Sequence, residues 1–164
     1  ALPHLRKQKS GHIFQVSSIG GRVGTPGFSA YQSAKWAVGG FSTVLAQEVA
    51  LFGIKVTVLE PGAMPTQWAV TAMQKKEPPM SEPYMEHVRP VWERFQGFAT
   101  KGKIGADLDG IAKIIVKVYE SEEPPVKLLV GGDAYEHAQK TTQALKETDE
   151  KWREVSISAD KVWE

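Results

Sequence analysis

The feature that most constrains this chain is the order of its first periodic segments. Gly11-His-Ile-Phe-Gln-Val-Ser-Ser18 is a short β-rich run bounded by glycine, the pattern of a buried strand. Ile54-Lys-Val-Thr-Val-Leu59 is a β-branched run cut by Pro61-Gly62, the pattern of a second strand. Between them Ser29 suits an N-cap, and a helix is expected to run to about Leu51, where Gly53 stops it. Ala34, Val38, Phe41, Leu45 and Val49 recur every three or four positions along it and form one apolar face. The small residues Ala30, Ala37, Gly39 and Gly40 leave room for another backbone to approach. Strand, helix and strand, with connections too long for a hairpin, make a βαβ unit: two parallel strands and a right-handed crossover.

The remaining segments extend that unit. Lys7 and Lys9 suit the C-terminus of a helix and Gly11 its stop, so the chain reads as starting inside a domain. Ile19 to Gly27 is a loop carrying Gly20, Gly21, Gly24, Pro26 and Gly27. Residues 63–105 are rich in Pro, Met and Trp and read as an excursion with a helix around Tyr84 to Phe98. Gly110 to Glu120 has helical periodicity, Pro124-Pro125 breaks it, and Val126 to Val130 reads as a third strand ending at Gly131-Gly132. Asp133 is expected to cap a polar helix from Ala134 to about Arg153, and residues 154–164 carry no clear signal. The expected division is 1–133 as one catalytic portion, with 63–105 as a lid over a substrate, and 134–164 as a C-terminal helix and tail.

Composition removes several function classes. A length of 164 residues suits one domain with one core. A net charge of +1, without any long run of Lys and Arg, argues against nucleic acid as a partner. No apolar stretch approaches the roughly 20 residues that span a bilayer, so no membrane partner is expected. The absence of cysteine rules out disulfides and thiolate chemistry and fits a cytoplasmic location. His4, His12, His87 and His137 are scattered without metal-ligand spacing, so no metal site is expected.

The chemistry sits early in the chain. Tyr31 and Lys35 are four apart at the start of the long helix, which puts them on one face. A phenol alone is a weak acid, with a pKa of about 10. An ammonium fixed beside it favours the phenolate, and the pair can then exchange a proton with a substrate oxygen. Tyr-x-x-x-Lys by itself recurs by chance; context makes it informative. Ser17-Ser18 ends a buried strand, where open α/β sheets place ligands. The glycine-rich loop allows the chain to fold back so that Ser18 and Tyr31 converge. That loop matches neither G-x-G-x-x-G nor a Walker A pattern.

Ser18, the thirteen-residue step to Tyr31 and then Tyr31-Gln-Ser-Ala-Lys35 resemble the active site of short-chain dehydrogenases/reductases. Glu60-Pro-Gly-Ala-Met-Pro-Thr66 resembles their Pro-Gly-x-x-x-Thr motif after the next strand. The resemblance implies an α/β, doubly wound, parallel Rossmann-like sheet of which this chain carries the second half. It implies an oxidoreductase moving a hydride between a nicotinamide cofactor, NAD or NADP, and an alcohol or carbonyl substrate. Tyr31 would be the general acid or base, Lys35 would assist it and bind the nicotinamide ribose, and Ser18 would orient the substrate oxygen. Pro61, Gly62 and Thr66 would border the nicotinamide. Ser18, Met64 and Trp68 would face the substrate, and Met73, Met80, Tyr84, Trp92 and Phe95 suggest that it is apolar. A homo-oligomer formed through the long helix is expected on the same ground.

The glycine-rich pyrophosphate turn, the Asn-Ala-Gly segment and the catalytic Asn of that family do not occur here; each would precede Ala1. Two other readings stand beside the enzyme. One is a non-catalytic fragment that folds only against another chain. The other is an epimerase or dehydratase of the extended type, disfavoured because Gln32 follows Tyr31 where a Gly is common.

Overall fold

Two β-branched runs pair in parallel and set the frame for everything else. The computed structural model describes residues 1–66, 71, 80–101 and 105–160, with side chains described outside 98–101. In chain order its elements are α1 (Leu2–Gln8), β1 (Gly11–Val16), a 3-10 turn (Ile19–Gly21), α2 (Ser29–Ala50) and β2 (Ile54–Pro61). Then follow α3 (Glu82–Lys101), α4 (Leu108–Tyr119), β3 (Lys127–Val130) and α5 (Gly132–Ile157). Among the described residues the sheet has the order β1-β2-β3, and both pairings are parallel. Gly11 lies opposite Ile54, and Val58 opposite Lys127.

β2 is central, and Thr57 and Val58 are fully buried. A strand covered on both faces reads as a near-continuous apolar run, which is why this segment stood out in the sequence. On one face, Ile54 and Val56 meet Leu45 and Val49 of α2, with Ile13, Phe52 and Leu2 and Leu5 of α1 packed around them. Each such Val, Leu or Ile contributes about 1.5–3 kcal/mol by leaving water. On the other face, the His12 ring stacks on Phe14 at 4.1 Å and lies 6.4 Å from Tyr119 of α4. Helices therefore cover both faces of a parallel sheet, the doubly wound α/β arrangement expected from the sequence.

Several local expectations are corrected. α2 starts at Ser29 itself, with Phe28 at the cap position and no side-chain cap. Its buried face is Gln32, Gly39, Ser42, Leu45 and Val49, whereas Ala34 is exposed and Phe41 is 62% exposed. Gln32 is buried in place of part of the expected apolar stripe because the loop before α2 gives it partners, whereas the buried Ser42 hydroxyl has none among the described residues. The Thr25 N–H donates to Gln32 Oε1 at 2.8 Å, and Gln32 Nε2 donates to Thr25 Oγ1 at 3.0 Å. Gly39 accommodates the Lys127 side chain rather than another backbone. α5 begins at Gly132 with Gly131 at its cap, so Asp133 is not the cap, and the helix continues to Ile157. β2 runs on to Pro61 because Glu60 and Pro61 still pair with Leu129 and Val130.

Candidate active site

Parallel strands end at one edge, and three chain turns gather there. β1 delivers Ser17 and Ser18, β2 delivers Pro61 to Ala63, and β3 delivers Gly131 to Asp133. The N-terminal turns of α2 close over the same edge.

Ser17, not Ser18, ties the strand to the helix. Its N–H donates to Leu59 O at 2.8 Å, and its buried hydroxyl donates to Lys35 O at 3.0 Å. Gly21 makes that approach possible. A Cβ on Gly21 would stand 2.8 Å from Ser17 Oγ and 3.0 Å from Lys35 O, so only glycine lets the loop lie against the helix backbone. Lys35 Nζ then reaches back to donate to Val16 O at 3.1 Å and lies 5.8 Å from the centroid of the Tyr31 ring. At that distance an ammonium interacts with the ring face. Of its three N–H donors, one is directed to Val16.

Ser18 Oγ accepts from Gly20 N at 3.0 Å and so closes the 3-10 turn, which leaves the hydroxyl proton available to donate. A Cβ on Gly20 would sit 3.3 Å from Tyr31 Cε1 and 3.5 Å from Ser18 Oγ. The hydroxyl and the phenol ring thus flank the same glycine. Ser18, Tyr31 and Lys35 thus lie near one another at this edge.

Pro61 is buried at the end of β2, and Gly62 N donates to Val130 O at 3.0 Å. Thr66 is half-buried, and its N–H donates to Met64 O at 2.8 Å. Trp68 and Met73 lie outside the described residues. Tyr84 is 64% exposed. Phe95 of α3 does reach it: its ring lies 4.6 Å from Phe28, which meets the Tyr31 ring edge-on at 6.4 Å. A Cβ on Gly27 would abut Val88 of α3 at 2.8 Å.

Three features of this edge are not legible in the sequence. Arg22 donates to Glu60 across the end of the sheet. Asp133 accepts from Ala63 N at 2.7 Å. Phe28 and Val88 join Phe95 in an apolar wall. Arg22 lies in the glycine-rich loop and Glu60 just before Pro61-Gly62, but only folding reveals that they meet. Nothing in the spacing of Asp133 and Ala63, seventy residues apart, signals a contact.

A parallel, doubly wound sheet with a Ser, Tyr and Lys gathered at its C-terminal edge defines a Rossmann-like α/β protein. Residues 1–77 match the family described as short chain dehydrogenase. Oxidoreductase BOA17 of Botryotinia fuckeliana is 58% identical over 158 residues, which is 96% of this chain and 56% of that protein. An uncharacterized oxidoreductase of Schizosaccharomyces pombe is 31% identical over 93% of this chain and 51% of its own length. A solved short-chain dehydrogenase from Streptomyces avermitilis superimposes with a TM-score of 0.81 at 30% identity, covering 97% of this chain and 56% of that one. The chain belongs to the short-chain dehydrogenase/reductase family of oxidoreductases, and it spans about half the length of the relatives it matches.

Proposed function

We propose that this chain supplies the proton-handling portion of an NAD(P)-dependent alcohol/carbonyl oxidoreductase. The observation that carries the reading is the grouping of Ser18, Tyr31 and Lys35 around Gly20 and Gly21 at the C-terminal edge of the parallel strands. The donor set suits a nicotinamide nucleotide. Lys35 offers N–H groups for ribose hydroxyls, and the turn from Pro61 to Thr66 offers a backbone border for the ring. When bound, such a cofactor supplies or accepts the hydride.

In the reducing direction Tyr31 gives its phenolic proton to the carbonyl oxygen, which becomes the hydroxyl of the product. In the oxidising direction the phenolate takes that proton back. Lys35 stands beside the ring, with Nζ 5.8 Å from its centroid. Ser18 donates its hydroxyl proton as a hydrogen bond to the same substrate oxygen and holds it in reach. Helix α3 acts as the lid, with Val88 and Phe95 closing on Gly27 and Phe28, and the apolar wall favours a ketone or aldehyde with a bulky apolar group. The exposed Trp36, Phe41 and Val44 along α2 support pairing with a second copy.

The test is turnover of NADH and NADPH by the full-length protein with a panel of aliphatic and aromatic ketones and aldehydes. Tyr31→Phe should lower turnover by about 10²- to 10⁴-fold with an unchanged circular dichroism spectrum. Full turnover in that variant removes Tyr31 from the mechanism. A wild-type protein that binds neither dinucleotide removes the reading altogether.

A further inference from the structure

The first turn of α5 closes on the turn that follows β2. Asp133 does not cap its own helix, since Gly131 holds that position and no side chain bonds there. Instead its carboxylate accepts from Ala63 N at 2.7 Å. A Cβ on Gly62 would overlap both carboxylate oxygens, and one on Gly131 would stand 2.7 Å from Oδ1. The two glycines thus leave a slot that the Asp133 carboxylate fills. The same turn is held from two other sides, by Gly62 N on Val130 O at 3.0 Å and by Ala106 N on Ala63 O at 3.1 Å. A hydrogen bond to a charged acceptor is the strongest of the three.

We infer that Asp133 is the positioning residue for the nicotinamide border, acting through the Ala63 peptide. The inference rests on the reading of the site given above. Asp133 touches no reacting atom; it fixes the direction of the Ala63 N–H and with it the path of the backbone from Pro61 to Thr66. The Gly in Pro61-Gly62 then has a second role beyond admitting a cofactor: it admits the carboxylate. The holding element is an acceptor oxygen at the right reach, so a side chain of the same shape with an acceptor oxygen preserves it and a shorter one does not.

The experiment uses the full-length protein and its Asp133→Asn, Asp133→Ser and Asp133→Ala variants. NADH and NADPH binding is followed by nucleotide fluorescence without substrate, and exchange of the Ala63 amide by hydrogen–deuterium exchange. Asp133→Ala and Asp133→Ser should weaken dinucleotide binding and raise the cofactor KM roughly tenfold to a hundredfold, with a smaller change in kcat and faster Ala63 exchange. Asp133→Asn should restore both readouts to near the wild-type level. If Asp133→Ala does not fold, the comparison of Asn with Ser decides. Equal binding by Asn and Ser, or unchanged Ala63 exchange in Ser or Ala, overturns the inference while leaving the site reading intact. A wild-type protein that binds neither nucleotide overturns both.

Discussion

Arg22 donates from Nε and Nη2 to one oxygen of Glu60, each at 2.6 Å, and the Glu60 side chain is 1% exposed while that of Arg22 is 31% exposed. The pair bolts the glycine-rich loop after β1 to the end of β2, the two segments that carry Ser18 and Pro61. The other carboxylate oxygen, Oε1, is buried and finds no partner among the described residues.

This asymmetry makes the two halves of the pair unequal. Arg22→Ala strands a buried carboxylate and should cost about 3–5 kcal/mol. Glu60→Ala leaves a guanidinium that can turn to water, so it should cost distinctly less. Urea unfolding of both variants in the full-length protein checks this; equal losses would show that burial of Glu60 is not what matters.

Gly21→Ala places a Cβ against Ser17 Oγ and the Lys35 carbonyl. The helix backbone cannot yield without moving Lys35, so kcat should fall at least about tenfold. Gly24, around which no atom stands within 4 Å, is the control: Gly24→Ala should leave kcat unchanged. Equal kcat in the two variants would break the link between this loop and the lysine.

Phe28 bridges Tyr31 and Phe95 of α3, the helix proposed as the lid. Phe28→Ala removes two ring contacts, worth about 0.5–1.5 kcal/mol each beyond area burial. The steady-state signature should be a raised KM for aromatic ketones with little change for small aliphatic ones. A uniform fall in kcat for all substrates would assign Phe28 to Tyr31 instead of to the lid.

His12 gives a pH dependence. Thr57 Oγ1 donates to Pro125 O at 2.8 Å, so at 2.9 Å from His12 it accepts from Nε2–H. The ring is thus neutral, with its bare Nδ1 buried and without a partner among the described residues. Burial, and next the Lys55 ammonium, hold the His12 pKa below its ordinary 6.5. An unfolded chain then binds a proton that the folded one refuses. Stability should be fully present above about pH 6.5 and decline as pH falls below it toward the folded value. Urea midpoints measured from pH 7.5 to 5 should drop in the wild type and drop less in His12→Gln. Parallel curves for the two proteins would clear His12 of the effect.

Much of this architecture was readable from local pattern. The β-branched run at Ile54, the breaks at Gly53 and Pro61-Gly62, and the spacing of Tyr31 and Lys35 each act over a few residues, and each element they imply is present. The errors have one origin. Phe41 and Ala34 continued an apolar stripe by periodicity, yet α2 buries Gln32 and Ser42 in its place. Periodicity measures which face is apolar, not which face finds partners, and here Thr25 gave Gln32 both of its bonds. Asp133 is a natural N-cap by residue type; the slot left by Gly62 draws its carboxylate elsewhere.

The sequence alone therefore determined the parallel βαβ frame and its doubly wound class, and it singled out Ser18, Tyr31 and Lys35 as candidates, because backbone preference and side-chain spacing are local properties. Tertiary structure decided which of two faces of α2 turns inward, that Arg22 reaches Glu60, and that Asp133 supports the turn at Ala63. Those contacts join segments from seven to seventy residues apart. Their energies depend on burial and on the exclusion of water, which exist only once the sheet and its helices have come together.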